Sequence, residues 1–120
     1  MNTITKMRRT QRMVKRYLEQ RGFKVWFIHH TRFQKDIWGL FDAFCISREG
    51  TAMVQAKSGR FPPMLDFITF SKAFPSVSVM LVAVDRHRIR VREIRAGAVY
   101  NMVEPRVALW QTRLTSMMKK

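Results

Sequence analysis

Residues 40–58 read LFDAFCIS, REG and TAMVQAKS, and the pairing of these segments decides the fold. Leu40–Ser47 and Thr51–Lys57 carry the apolar, aromatic and β-branched residues of strands. Arg48, Glu49 and Gly50 between them predict a tight hairpin turn, with Gly50 free to take a positive φ. Residues two apart in a strand share a face, so Gln55 and Lys57 point the same way. The hairpin brings both within reach of Asp42. An ionised carboxylate set between Phe41 and Ala43 is expensive to bury unless it is paired or bound to a metal. An acid, an amide and an ammonium thus converge on one small site.

Outward from the hairpin, apolar residues on the N-terminal side recur at helical steps. Met7, Met13, Val14, Tyr17 and Leu18 predict a helix over 5–21, with Lys6, Arg9, Arg12, Arg16 and Arg21 around its other face. Gly22 is its stop, and 23–29 reads as a first strand. On the C-terminal side, 58–63 is a breaker-rich loop, and a second helix spans Met64–Phe74 before Pro75. Val77–Val84 is a continuous apolar run of buried-strand character. Ile89–Ile94 alternates apolar with charged, mostly basic residues, one face for the core and a cationic one outside.

The order is α-β-β-β-α-β-β, a single α/β or α+β domain with a mixed sheet flanked by helices. No Gly-rich phosphate loop argues for a dinucleotide fold. Residues 1–95 form the expected core domain. Residues 96–120 are a C-terminal extension, with a short helix over Ala108–Met118, belonging to the same domain or to a dimer interface.

The chain has 120 residues, 47% of them hydrophobic, enough for one modest core. Twenty-three Lys and Arg face eight Asp and Glu, giving +15 and a pI near 11.5. Such a field attracts polyanions, nucleic acid first among them. A lone cysteine, Cys45, excludes an internal disulfide and a Cys-rich zinc site, and its apolar surroundings predict a buried, inert thiol. Neither a signal-peptide run nor an apolar stretch of ~18 residues is present. The expectation is a soluble, cytoplasmic protein without a membrane partner or small-molecule cofactor.

The convergent site suits phosphodiester hydrolysis. Mg²⁺ or Mn²⁺ takes oxygen ligands, and Asp42, the Gln55 side-chain carbonyl and the Ala56 backbone carbonyl are the candidates. Lys57 is placed to hold the attacking water or to stabilise charge in the transition state.

Asp36-Ile-Trp-Gly-Leu-Phe-Asp42, the hairpin and Val54-Gln-Ala-Lys-Ser58 together resemble the core motif of PD-(D/E)XK nucleases. Glu19-Gln-Arg-Gly-Phe23, where helix gives way to strand, is similar to archaeal-type Holliday-junction resolvases. The likeness covers residues 8–94. It implies a restriction-endonuclease-like αβββαβ core, Asp42 as metal-binding acid, Lys57 as catalytic lysine, and branched or duplex DNA as substrate. Gln55 stands where the motif usually has an acid. The resolvases' first-helix glutamate has no clean counterpart, which leaves Asp36 and Glu19 as further candidate ligands.

For phosphate contacts the candidates are Arg8, Arg9 and Arg12 on the first helix, with Arg32, Lys35, Ser58 and Arg60. Each functional reading has a plainer rival. Asp42 and Lys57 form a cross-strand ion pair in one. His29 and His30 point to opposite strand faces and suit a surface role. Trp26, Trp38 and Phe41 are expected in the core. Leu65, Phe67, Phe70, Phe74, Trp110, Met117 and Met118 exceed what one small core needs, and a homodimer interface would use them. Three alternative functions stand beside a junction resolvase. They are a related nuclease acting on flaps, ends or duplex sites, an inactive DNA-binding module of the same fold, and an RNA-associated basic protein.

Overall fold

The structure, a computed structural model, describes residues 3–28, 36–86 and 88–102. Helix α1 (Thr3–Glu19) is followed by strands β1 (Lys24–Phe27), β2 (Ala43–Ser47) and β3 (Gly50–Ser58). Then come helix α2 (Leu65–Ala73) and strands β4 (Ser78–Val84), β5 (Ile89–Arg95) and β6 (Ala98–Met102). The fold is α+β, a mixed six-stranded sheet with two helices. The strands lie side by side in chain order, antiparallel except for β3 against β4. That pair is parallel because α2 carries the chain back to its starting end, as a crossover must.

α1 buries Val14, Tyr17 and Leu18 on one stripe and exposes Arg8, Arg9, Arg12, Lys15 and Arg16. The helix ends at Glu19, two residues before the predicted limit. Gly22 takes φ +91 there, and the Phe23 N–H donates back to the Leu18 carbonyl at 3.1 Å, a glycine-terminated stop. Alternation then assigns each strand residue to a side. Cys45, Val54, Val82 and Val91 join the α1 stripe in one core cluster. Met53, Leu81 and Ile94 pack with Phe41 and with Phe67 of α2 in the other.

β6 is a strand within the stretch expected as a C-terminal extension. Ala96 and Gly97 both take positive φ, 49° and 82°, and join Arg95 to Ala98 by a two-residue turn. The turn seats on α2. The Gly97 N–H donates to Ser71 Oγ at 3.0 Å, and a Cβ on Gly97 would lie 2.7 Å from Lys72 Cγ.

Phe41 is fully buried as expected, but Trp26 and Trp38 are 58% and 72% exposed. The expectation of two core tryptophans is corrected, and the reason is the reach of α2. This helix packs on β4 and β5. Trp26, paired with Phe44 at the β1 edge of the sheet, lies beyond it, and Trp38 sits in a turn. Among the surplus apolar residues Phe67 is buried, while Leu65 and Phe74 are exposed. His29, His30, Arg32, Lys35, Trp110, Met117, Met118 and the predicted helix over 108–118 lie outside the described residues. Among the described residues no helix is long and apolar enough to cross a membrane.

Candidate active site

Asp42 stands at the mouth of β2, with its backbone held from both sides. Its N–H donates to the Val54 carbonyl at 2.8 Å, and its carbonyl accepts the Ile28 N–H at 3.0 Å. The side chain turns toward β3, where Oδ2 accepts the Ala56 N–H at 3.0 Å. The Gln55 amide is oriented by its neighbours, which are both acceptors. Its Nε2 donates to Asp42 Oδ2 at 3.1 Å and to the Leu40 carbonyl at 2.7 Å. The structure thus joins Asp42 and Gln55 directly.

The segment before Asp42 is a compact turn. Ile37 and Phe41 exchange backbone hydrogen bonds, Ile37 N–H to Phe41 carbonyl at 2.7 Å and Phe41 N–H to Ile37 carbonyl at 3.1 Å. Phe41 anchors it by packing edge-on against Phe67 and Phe70, with ring centroids 5.7 and 4.9 Å away. A rigid turn therefore fixes the Leu40 carbonyl that Gln55 meets. Asp36 caps this turn, its Oδ1 accepting the Gly39 N–H at 2.9 Å.

Glu19 is not brought to the site. It ends α1 just before Lys24, whose partner is Ile46, whereas Asp42 lies past the opposite end of the β1–β2 pairing, beyond Phe27 and Ala43. Three to four residues at ~3.3 Å each separate those two ends. Lys57 shares the face of Gln55 and is exposed, as are Ser58 and Arg60. Among the described residues ion pairs join Arg88 to Asp85 and Arg95 to Glu93, and Lys57 enters none. The plain cross-strand pair of Asp42 with Lys57 is not formed.

The donor set can be tested against a divalent cation. Among the described residues no three His, Cys, Asp or Glu side chains gather. What converges is one carboxylate and one main-chain carbonyl, each within 3.1 Å of one side-chain amide, that of Gln55. A half-turn of the Gln55 amide would set Oε1 against Asp42 Oδ2 and the Leu40 carbonyl. Oε1 would then neighbour two further oxygens, and the three together are a hard-cation donor set of low charge. The Ala56 peptide meets Asp42 through its N–H, and the carbonyl that meets Gln55 is that of Leu40.

Two further cations share this face and were not singled out from the sequence. Arg90 and Arg92 of β5 lie beside Phe61, their guanidinium carbons 5.2 and 4.3 Å from its ring centre. The alternation over Ile89–Ile94 contained their signal, but the strand's place in the sheet did not follow from it. Compared with known proteins, the chain matches no family model, no curated sequence and no solved structure.

Proposed function

We propose that this chain is a metal-dependent DNA endonuclease with a restriction-endonuclease-like core of the PD-(D/E)XK kind, resolving Holliday junctions as a homodimer inside the cell. The observation that carries the reading is the hydrogen-bonded Asp42–Gln55 pair at 3.1 Å, with Lys57 next after Gln55 on the same face of β3. The order α1-β1-β2-β3-α2-β4, with β3 parallel to β4, supports the same core. A charge of +15 supports a polyanionic substrate.

Asp42, Gln55 and the Leu40 carbonyl would hold Mg²⁺ or Mn²⁺, which supplies Lewis-acid polarisation of a phosphoryl oxygen. The chain's own groups do the rest. Lys57 donates to the attacking water or to the phosphoryl oxygens as negative charge builds on them. Water oxygen bonds to phosphorus and its proton passes to solvent, while one phosphorus–oxygen bond to sugar breaks and the leaving sugar oxygen takes a proton from solvent. The basic side of α1, with Arg8, Arg9 and Arg12, positions DNA through its backbone without reading its sequence. A four-way junction has two-fold symmetry, and a dimer burying Trp38, Leu65 and Phe74 would present two such sites.

A second reading is favoured by the single carboxylate: a DNA-binding module of this fold that does not cut. Incubating a labelled four-way junction with Mg²⁺, Mn²⁺ or EDTA, beside a linear duplex, separates the two. Paired symmetric cuts are expected with wild type in either metal, and none in EDTA or with Asp42→Ala. Lys57→Ala should cut at least about a hundredfold more slowly. Tight junction binding with no cutting in either metal would establish the second reading instead. Cleavage of flaps or ends in preference to junctions would keep the chemistry and change the substrate.

A further inference from the structure

We infer that Arg90 and Arg92, braced against Phe61, form a clamp for one backbone phosphate of a nucleic acid whose neighbouring segment lies over Asp42, Gln55 and Lys57. The inference rests on the nucleic-acid part of the reading above and not on cleavage. Strand parity places both arginines on the α2 side of the sheet, since Val91 belongs to the α1-side core and Ile94 to the other. Register then fixes their distance from the candidate site. Gln55 pairs with Leu81 and Leu81 with Arg92, while Lys57 pairs with Ala83 and Ala83 with Arg90. Two strand spacings make roughly 10 Å. That span is about three nucleotide steps at a rise of ~3.4 Å per strand.

The two side chains are held but not neutralised. Arg90 Nη2 donates to the Gly59 carbonyl at 2.9 Å, and the Phe61 ring lies within 5.2 Å of both guanidinium carbons. The Nε atoms of both arginines are buried and make no hydrogen bond. The acids nearest in sequence are engaged elsewhere, Asp85 with Arg88 and Glu93 with Arg95. Two like charges beside one ring, neither paired with an acid among the described residues, leave a site short of an anion. Guanidinium is the group suited to it, because its planar fork grips phosphate oxygens while its face stacks on an aromatic ring. One small anion would satisfy the arginines alone. A polyphosphodiester satisfies them and Lys57 together, across the ~10 Å between them.

Equilibrium binding of a labelled four-way junction and a linear duplex in EDTA, across a salt series, tests this without any cutting. For Arg90→Gln/Arg92→Gln, affinity should fall about ten- to hundredfold, with the slope of log K against log salt smaller by about one. Arg92→Lys keeps the charge and should keep the slope while losing part of the affinity. Arg48→Gln, at the hairpin tip, should bind as wild type. Circular dichroism establishes that each variant is folded, and Arg92→Lys carries the test if the double variant is not. A folded double variant with wild-type affinity and slope would overturn the clamp, as would a wild type that does not bind DNA. If the double variant loses affinity while wild type never cuts, the clamp stands and the nuclease reading falls. If wild type cuts junctions and the double variant binds them equally well, the reverse holds.

Discussion

The two faces of the sheet are covered by helices of different length, and their chemistry differs accordingly. α1 runs 17 residues and closes its side with a single cluster that includes Cys45, Val54 and Val91. α2 runs nine residues and packs on β4 and β5, so among the described residues no helix covers the α2 side toward β1 and at the mouth of β2. Gln55, Lys57, Arg90 and Arg92 point to that partly covered side, with Asp42 meeting Gln55 there. Where the helix cover is complete, a polar group has no route to water or substrate and costs free energy. Where it stops, Asp42 keeps a hydrogen-bonded place at the rim of a core that still holds Phe41 rigid. The shorter helix is thus the feature that makes room for chemistry.

The closed side gives the largest expected effect. Burial pushes the Cys45 thiol from 9.0 up to about 12, opposed by a hydrogen bond with the Ala52 backbone. At pH 8 the thiolate fraction is then roughly a thousandfold below that of a free thiol, and only the thiolate reacts. Alkylation of the folded protein should be slower by about that factor, and denaturant should restore it. Ordinary labelling rates in the folded state would break the comparison, because α1 would not be sealing its face. The sign with pH follows from the same shift. A raised value means that the stability from this group is whole below about 9 and is lost as pH climbs toward about 12. Cys45→Val should lack that alkaline loss when the two proteins are unfolded side by side.

The rim of the open side gives a smaller effect. Gln55→Glu replaces the amide that donates to Asp42 Oδ2 and to the Leu40 carbonyl with a second acceptor. Without divalent cations two carboxylates then face each other and a carbonyl loses its donor. The expected cost is roughly 1–2 kcal/mol, or a fall of about 5–10 °C in Tm. Mg²⁺ should raise the melting point of this variant more than that of wild type, since the added charge strengthens an oxygen site. An unchanged Tm in EDTA would mean that the Gln55 amide does not hold Asp42 in solution.

The elements that sequence exposes well are those whose information is local. Alternation and Gly50 are enough to predict the β2–β3 hairpin, and parity along it is enough to set Gln55 and Lys57 on one face, with Gln55 meeting Asp42. The sheet class follows from that hairpin and the crossover helix. What escaped depends on partners distant in the chain. β6 was missed because its turn is Ala96-Gly97, which lacks the Asn-Gly or Asp-Gly signature, and because its seat on Ser71 and Lys72 is tertiary. Aromatic residues usually lie inside, but Trp26 sits at an edge strand past the reach of α2 and Trp38 rides an exposed turn. Glu19 was a reasonable acid by composition and fails by position, at the wrong end of β1. The Leu40 carbonyl and the Arg90–Arg92 pair required register, which periodicity does not supply.

The smallest expected effect lies within the turn that joins the two environments. Phe41 and Trp38 are three residues apart, and both touch Phe70, with centroids 4.9 and 5.8 Å away. Phe41 is fully buried, whereas Trp38 is exposed and holds φ +54, a backbone region that favours Gly or Asn over a bulky side chain. Replacing Trp38 therefore changes two quantities of opposite sign. Trp38→Ala loses the ring contact and keeps the backbone strain, and should cost about 1 kcal/mol. Trp38→Asn loses the same contact but relieves the strain, and should come within about 0.5 kcal/mol of wild type. Chemical denaturation of both, with unchanged m-values, isolates the backbone contribution as the difference between them. Equal losses would place the whole effect in the ring. A left-handed Trp38 would then be costless, and the backbone of this turn would carry no strain at that position.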